Sequence, residues 1–397
     1  MSGLQRNQRA QPASSEVGFA LWNLGFRPFY LLASFFSAFS VLLWVAQYSS
    51  LLPPLYPHGS VWHAHEMLFG YTTAVVAGFL LTAVRNWTDR PTPTGKPLMA
   101  LVALWVAGRV LILTPLATAA AVVNVAFPVA VAIAIGIPLV KARNVRNYFF
   151  AALLVMLGTL ALLAHLTLQR RFALPPQAIL QLALDVVLFI MVVMGGRVIP
   201  MFTNSSIPGT RARRHPGLER FSLGSVLVLL LGDLLQLDPA ALAAIALAGA
   251  LAHGVRLYLW QPWRTIATPL VWILHAAYAW IVAHLALRGL AELGLIARSL
   301  ATHALTIGGI GGLTLGMMTR TARGHTARQL HADGYETTAF GLVQAAAIVR
   351  VLGAMLLPPL YVASVQLSGV LWATAFGLYT ARYWPVLTRP RLDGKPG

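Results

Sequence analysis

The run Trp62-His63-Ala64-His65-Glu66 places two imidazoles and a carboxylate at the start of a long apolar stretch. Ionisable groups in such a stretch are costly, which makes them candidates for function. Histidine is a common ligand of haem iron and of copper. On a helix, His63 and Glu66 share a face, while His65 lies about 200° around from His63. We therefore predict His63 as one metal ligand, with Glu66 orienting it or carrying protons, and His65 as a ligand of a second site. The alternative is that all three cap the helix at the water interface.

Two further histidines lie inside apolar stretches beside residues that can assist them. His275 and Tyr278 are one helical turn apart, which suits a metal ligand beside a hydrogen-bonding group. His303 precedes a glycine-rich run at 308–312, and small residues let another helix, or a flat macrocycle, approach the backbone. We predict His275 and His303 as iron or copper ligands. The alternatives are histidines satisfied within the core and plain helix packing for the glycines.

Other charged residues fall within or at the edge of apolar stretches, namely Asp185, Arg109 and Arg197. Buried charges need partners, and a guanidinium group is well shaped for carboxylates. The two arginines are predicted either to form structural ion pairs or to bind the propionates of a haem. Asp185 joins Glu66 and Tyr278 as a candidate for proton delivery in catalysis.

The composition predicts the elements that must position these residues. The chain has 397 residues, of which 58% are hydrophobic and only 10% are charged, whereas soluble domains carry about 25% charged residues. Continuous apolar runs of about 20 residues indicate transmembrane helices rather than barrel strands. The predicted fold class is therefore all-α, a polytopic membrane protein with twelve transmembrane helices. The segments lie near 24–48, 62–84, 97–115, 117–140, 148–168, 177–202, 219–236, 239–260, 267–288, 299–319, 337–358 and 361–386.

The distribution of charge predicts how the chain is oriented. The net charge is +18, and most of the 29 Lys and Arg residues fall in segments on the same side as the N-terminus. Connections on the other side hold only Arg170, Arg171, Arg288 and Arg298. By the positive-inside rule both termini should be cytoplasmic, which explains the basic composition without a nucleic acid partner.

The polar first 20 residues predict no cleavable signal peptide. The absence of cysteine excludes disulfides and thiolate metal sites.

Similar segments recur at a spacing of roughly 118 residues, which predicts internal repeats. The second, sixth and tenth apolar segments end in GFLLTAVRN, GRVIPMFTN and GLTLGMMTR. The pattern indicates three units of four helices related by a pseudo-threefold axis. The alternative is chance similarity among helices rich in Leu, Ala and Gly. His165 and His284 occupy matching positions of two units, which favours a structural role for both.

Several stretches resemble the NnrS family, and they occur in the same order between about residue 20 and residue 385. The resemblance implies twelve spans in the bacterial inner membrane, haem and copper as cofactors, and a link to denitrification and to protection from nitric oxide. Five candidate residues sit in the matching motifs, and the division of the histidines between haem and copper stays open. These residues are His63, His65, Glu66, His275 and His303. The resembling stretches are NLGFRPFY (23–30), WHAHEMLFGY (62–71), GFLLTAVRNWT (78–88), GRVIPMFTN (196–204), WILHAAYAW (272–280) and HALTIGGIGGLTLGMMTRTARGHTAR (303–328).

These observations predict a polar tail at 1–20, a membrane domain at 21–387 and a C-terminal tail at 388–397. A haem b among the second, ninth and tenth segments is expected to bind nitric oxide and to reduce it to nitrous oxide. A quinol or cytochrome would act as electron donor, and membrane lipid would surround the helices. Two alternatives remain: a transporter of a metal or nitrosyl–iron complex, and a non-catalytic haem or copper assembly or sensor subunit.

Overall fold

In a computed structural model, every regular element of the described residues, 18–53, 59–171 and 174–395, is helical. This confirms the predicted all-α class. The predicted N-terminal tail lies outside the described residues up to residue 17. The long helices are α1 (Phe26–Tyr48), α2 (Gly59–Thr88), α3 (Gly95–Leu111), α4 (Ala117–Lys141), α5 (Phe149–Leu168), α6 (Pro176–Ser206), α7 (Pro216–Leu234), α8 (Pro239–Leu259), α9 (Pro269–Glu292), α10 (Arg298–His325), α11 (Gly334–Leu356) and α12 (Tyr361–Thr388).

The length and apolarity of the helices indicate a multi-pass membrane protein. Among the described residues, ten helical segments are long and apolar enough to cross a bilayer. The other two long helices fall short for different reasons. α3 has only 17 residues, and α7 carries the charged residues Glu219, Arg220 and Asp233. The count of twelve spans therefore stays a prediction.

Successive helices run in opposite directions, so their ends gather at two ends of the bundle. We call the end where α1 begins the inner end and the opposite end the outer end. At the inner end, Asn144 Nδ2–H donates to the carbonyl of Trp87 at 3.1 Å and ties α4 to α2. At the outer end, Gln169 Nε2–H donates to the carbonyl of Ala117 at 3.2 Å and ties α5 to α4. Most of the candidate histidines lie toward the outer end.

Three helices contain π turns, at Glu66–Thr72 in α2, Ala304–Gly311 in α10 and Val349–Gly353 in α11. A π turn widens the helix by one residue and disturbs the usual backbone hydrogen bonds. In α2 a hydroxyl helps to satisfy the disturbed backbone, because Thr72 Oγ1–H donates to the carbonyl of Met67 at 2.7 Å. Such turns occur frequently at functional sites. Here the first begins at Glu66 and the second directly follows His303, both candidate functional residues, and the third contains Arg350.

The glycine-rich run of α10 serves close packing. A methyl group at Gly308 would overlap the indole of Trp280, and one at Gly311 would overlap the ring of Trp372. The Trp280 indole is held in place, because its Nε1–H donates to Gln344 Oε1 at 2.9 Å. These two glycines therefore let bulky side chains approach the α10 backbone.

The substitution Gly308→Ala should lower the free energy of unfolding by about 1–3 kcal/mol, the usual cost of overpacking. The bonded Trp280 ring cannot move aside without losing its hydrogen bond to Gln344. Gly377→Ala in α12 is the control, since a methyl group there meets no atom within 4 Å, and it should be neutral or stabilising by up to about 1 kcal/mol. Unfolding in detergent measures both changes, and equal stabilities of the two variants would contradict this packing.

Candidate functional site

A cavity of about 750 Å³ lies in the outer half of the bundle, among residues of α1, α2, α6, α7, α10, α11 and α12. Its volume falls within the range of about 300–1,000 Å³ that small molecules and cofactors occupy. The walls are mostly apolar. The polar residues that line it include His63, Gln181, Asp233, Arg298, His303 and Arg350. Of the predicted metal ligands, the cavity thus brings together His63 and His303.

His303 has one ring nitrogen fixed and the other available. Its Nδ1–H donates to the carbonyl of Ser299 at 2.6 Å, one turn earlier in α10. This bond leaves Nε2 as the acceptor nitrogen of a ring that lines the cavity. Histidines that ligate metals almost always donate their other ring N–H in this manner, which fixes the tautomer and the ring orientation. The π turn that begins at Ala304 directly follows this residue.

His63 lines the same cavity from α2. Its ring stacks on Trp44 of α1, with centroids 5.3 Å apart and planes inclined by 16°. Stacking on a large aromatic ring restricts the orientation of the imidazole. His63 and His303 therefore present two imidazoles to one space, on two different helices.

Arg350 is a cavity residue that the sequence analysis did not select. It lies within the π turn of α11, is 6% exposed, and donates from Nη2 to Tyr361 Oη at 2.9 Å. Its Nη1 is buried and has no hydrogen-bond partner among the described residues. A buried donor without a partner costs about 1–3 kcal/mol, so this guanidinium is suited to a carboxylate or another anion in the cavity. A lone arginine in an apolar segment was the signal that could have found it, as it found Arg109.

Asp185 lies one step behind the cavity wall. It is fully buried, and its Oδ1 accepts a hydrogen bond from Gln181 Nε2–H at 2.9 Å. Gln181 and Asp233 both line the cavity, and Asp233 accepts from Arg288 Nη2–H at 2.6 Å. Asp185 thus connects to the cavity through Gln181, and its role in proton delivery stays a prediction.

Glu66 supports His65, so the expectation that it orients His63 is wrong. Its Oε1 accepts from His65 Nδ1–H at 2.8 Å, and its two oxygens accept from Arg109 Nη1–H at 2.9 and 2.8 Å. The physical reason is that the cation on α3 draws the carboxylate to that side, at the residue where the π turn begins. Arg109 also donates to Asn124 Oδ1. Arg109 thus forms an ion pair and does not line the cavity. His63 and His65 face different sides of α2, as helical geometry predicts.

Arg197 also binds protein groups away from the cavity lining. Its Nη1–H donates to Asn147 Oδ1 at 2.7 Å. Its guanidinium lies 5.7 Å from the ring centroids of both Phe149 and Phe150. These contacts favour a structural role for Arg197, one of the two roles that the sequence analysis left open, over binding of a haem propionate.

His275 and Tyr278 lie in a separate polar cluster among α6, α8 and α9. His275 Nε2–H donates to Thr203 Oγ1 at 2.8 Å. The Tyr278 hydroxyl bonds to His253 Nδ1 at 2.6 Å and accepts from Arg256 Nη1–H at 2.7 Å. None of these residues lines the large cavity. Their roles as ligand and proton carrier stay predictions, and the structure does not bring them together with His63 and His303.

One family comparison covers nearly the whole chain. A family model described as NnrS protein matches residues 20–391. The chain belongs to the NnrS family. This confirms the resemblance, and membership in the NnrS family fits a membrane protein related to nitric oxide. Comparison with curated proteins gives no significant match.

The Glu66–Arg109 pair provides a direct test of the charge arrangement around α2. Replacing Arg109 with Gln leaves the carboxylate buried without its cation, which should cost about 3–5 kcal/mol of stability. Adding Glu66→Gln removes the uncompensated charge and should recover much of that loss.

A double-mutant cycle of unfolding free energies measures this coupling. The control is Arg382→Gln, because the side chains of Arg382 and its partner Asp333 are 44% and 36% exposed, and an exposed pair contributes about 0–1 kcal/mol. Simple additivity of the Glu66 and Arg109 effects would show that the two groups do not interact.

Proposed function

We propose that this protein binds haem b in the outer cavity and that nitric oxide is bound there, with reduction to nitrous oxide as its turnover. The single observation that carries the proposal is the His303 ring, which is fixed through Nδ1–H on Ser299 and has Nε2 available at a cavity of cofactor size. Family membership supports the link to nitric oxide.

The donor set fits a haem better than a bare metal ion in this cavity. Among the described residues, no group of three or more His, Cys, Asp or Glu side chains is placed to hold a metal ion. A haem brings its own equatorial nitrogens and needs only one or two axial ligands from the protein. His303 and His63 are the two imidazoles that the cavity offers, and its apolar walls suit a macrocycle.

Two arginines are placed to bind the carboxylates of a haem. Arg350 has an unpaired buried Nη1 at the cavity wall, and Arg298 lines the cavity near the outer end, where its side chain is 67% exposed. Guanidinium groups match carboxylates in shape and charge. Binding of propionates was one of the two roles that the sequence analysis left open for Arg109 and Arg197, and we propose it for Arg350 and Arg298 instead.

The chemistry divides between the cofactor and the chain. When bound, haem iron supplies a coordination position for nitric oxide and a path for electrons from a quinol or cytochrome donor. His303 would bind the iron through Nε2, and its Nδ1–H bond to Ser299 fixes the tautomer and the orientation of the ring. Asp185 is bonded to Gln181, which lines the cavity, and would deliver protons to the site, the role first predicted for it.

The haem content of purified protein tests the proposal. The wild-type protein should contain haem with a Soret band that shifts on addition of nitric oxide. Loss of a partner that merely supports a metal ligand lowers affinity about 10- to 100-fold, so His303→Ala should lower haem affinity at least that much and reduce the haem that copurifies.

His275→Ala is the matched control, because His275 is likewise a histidine within a long helix but does not line the cavity. It should keep its haem. Wild-type protein that contains no haem, or haem loss in His275→Ala but not in His303→Ala, would overturn the proposed site. Consumption of nitric oxide in the presence of an electron donor then separates an enzyme from a non-catalytic sensor or assembly subunit.

We further propose the predicted topology: twelve spans in the bacterial inner membrane, both termini cytoplasmic, and three four-helix units around a pseudo-threefold axis. The helix packing supports the threefold arrangement, because α12 packs on α1, α4 on α5 and α8 on α9. These are the pairs in which the last helix of one unit meets the first helix of the next.

Single cysteines test the orientation, since the natural chain has none. Leu295→Cys in the outer connection between α9 and α10 should react with a membrane-impermeant maleimide in intact spheroplasts. Thr94→Cys, in the inner connection before α3, should react only after the membrane is opened. Both residues are exposed, so the reverse labelling pattern would invert the topology.

A transporter remains the second candidate, because the cavity is large and lies at one end of the helices. Its cargo would be a metal or a nitrosyl–iron complex, with Arg298 near the opening. If haem-free protein reconstituted into proteoliposomes carries that complex across the membrane, transport is favoured over the haem site.

A further inference from the structure

We propose that the outer cavity takes its protons from the aqueous phase at the outer end, through the chain Arg298, Glu292, Arg288 and Asp233. This inference rests on the proposed function, because reduction of two nitric oxide molecules to nitrous oxide and water consumes two electrons and two protons. The chain begins at Arg298, whose side chain is largely exposed, and ends at Asp233 on the cavity wall. The protons therefore come from the side of the membrane that the outer end faces.

Four side chains from three helices form this chain through close ion pairs. Arg298 Nη2–H of α10 donates to Glu292 Oε2 at 2.6 Å, and Arg288 Nε–H of α9 donates to Glu292 Oε1 at 2.5 Å. Arg288 Nη2–H donates in turn to Asp233 Oδ1 of α7 at 2.6 Å. The side chain of Glu292 is fully buried, yet it is one bond from a residue in solvent and one guanidinium from the cavity.

Asp233 is the group through which a proton can enter the cavity. It is the one carboxyl group among the described residues that line the cavity. Its buried Oδ2 has no hydrogen-bond partner within the described part of the chain, so this oxygen is available to accept a proton. His63 and His303 line the same cavity, but a histidine that binds iron through Nε2 has no proton to give there.

A water molecule beside Arg288 completes the path. An arginine side chain stays protonated in proteins, so the step from Glu292 to Asp233 needs another carrier. Three buried atoms near this step lack a partner among the described residues, namely Arg288 Nη1, Asp233 Oδ2 and His284 Nε2. Nearly all buried polar groups are bonded, and an exception needs an explanation such as an ordered water.

The three atoms match the bonds of one water. His284 lies one turn before Arg288 on the same face of α9, and it interacts electrostatically with both Arg288 and Asp233. Its Nδ1–H donates to the carbonyl of Ala301 at 2.8 Å, which leaves Nε2 as an acceptor. One water can accept from Arg288 Nη1–H and donate to Asp233 Oδ2 and His284 Nε2, and a buried water typically makes about three bonds.

Each proton passes through the chain in successive transfers. Glu292 takes it from the outer phase beneath Arg298 and releases it to the bridging water, which gives a proton to Asp233 Oδ2. Asp233 releases its proton at the cavity wall and returns to the carboxylate, so the chain ends each cycle as it began. Arg288 keeps its charge and stabilises both carboxylates between transfers. Asp185 of α6 is an electrostatic neighbour of Asp233, so the same chain also reloads Asp185.

Glu219 provides the matched control. Like Glu292, it is a buried carboxylate held between an arginine that reaches solvent, Arg214, and a buried one, Arg256. Arg256 continues to Tyr278, and neither of the two lines the cavity. Replacement of either glutamate by Gln removes the same kind of buried charge, so the two variants differ in the connection to the cavity.

The first measurement is nitric oxide consumption by the full chain in sealed proteoliposomes of known orientation, with an electron donor. Glu292→Gln and Asp233→Asn should each lower consumption by about 10-fold, less than the roughly 100-fold typical of a group that acts on the substrate itself. His284→Phe should lower it as well, because the water loses one partner. Glu219→Gln should consume nitric oxide as the wild type does. Haem content should be unchanged in all four variants.

The second measurement needs neither haem nor turnover. A hydrophobic carbodiimide modifies carboxyl groups that carry a proton in apolar surroundings, and mass spectrometry identifies the modified residue. With the two aqueous phases buffered separately, modification of Asp233 should increase as the outer pH is lowered and should not respond to the inner pH. The midpoint belongs to the whole cluster, since the charged and titratable groups around Asp233 are Arg288, Glu292, Arg298, Asp185 and His284.

The proposal is overturned if modification of Asp233 follows the inner pH or neither pH. It is also overturned if Glu292→Gln and Glu219→Gln consume nitric oxide at equal rates in a protein whose wild type is active. Failure of the proposed function gives a different result. A wild-type protein without haem would consume no nitric oxide, yet Asp233 would still respond to the outer pH.

Discussion

A polar group buried between apolar helices must find its partner on another helix, because neither lipid nor bulk water is there to supply one. The polar cluster among α6, α8 and α9 meets this constraint at Tyr278, whose hydroxyl joins His253 and Arg256, and at Arg256, whose guanidinium reaches Glu219. In the outer half, and within the described part of the chain, Arg350 Nη1 at the cavity has no such partner. His303 bonds through Nδ1 to its own helix and presents its ring to the cavity.

The π turns connect this chemistry to the backbone. One begins at Glu66, one follows His303 and one contains Arg350. Each inserts a residue into an otherwise regular helix and so changes which side chains face the cavity. On helix α2, His63 lines the cavity, whereas His65 lies against the ring of His165.

The sequence was sufficient for properties that depend on composition and helical period. It predicted the all-helical fold, the order of the long helices, and the separation of His63 from His65. It could not give partners that come from another helix. Glu66 was expected to support His63 because the two share a face of a regular helix, but Arg109 and His65 hold it instead. His165 was interpreted as structural because it matches His284 in the predicted repeat, and its contact with His65 comes from α2, a hundred residues away.

Arg350 shows a different limit of sequence analysis. It carries the same signal as Arg109 and Arg197, a lone cation in an apolar segment, yet those two are bonded to Glu66 and Asn147 while Arg350 reaches the cavity. Only packing separates these cases. The glycines of α10 were likewise ambiguous until Trp280 and Trp372 were seen against them.

We propose that the groups of the outer cavity without a protein partner, His303 Nε2 and Arg350 Nη1, bind a haem. An electron cryomicroscopy map of the protein as purified from cells grown with nitric oxide tests this most directly. We expect a flat macrocycle inside the cavity, with its metal at His303 Nε2 and a carboxylate at Arg350 Nη1. A cavity that contains only lipid or detergent, or a macrocycle bound elsewhere in the bundle, would contradict it.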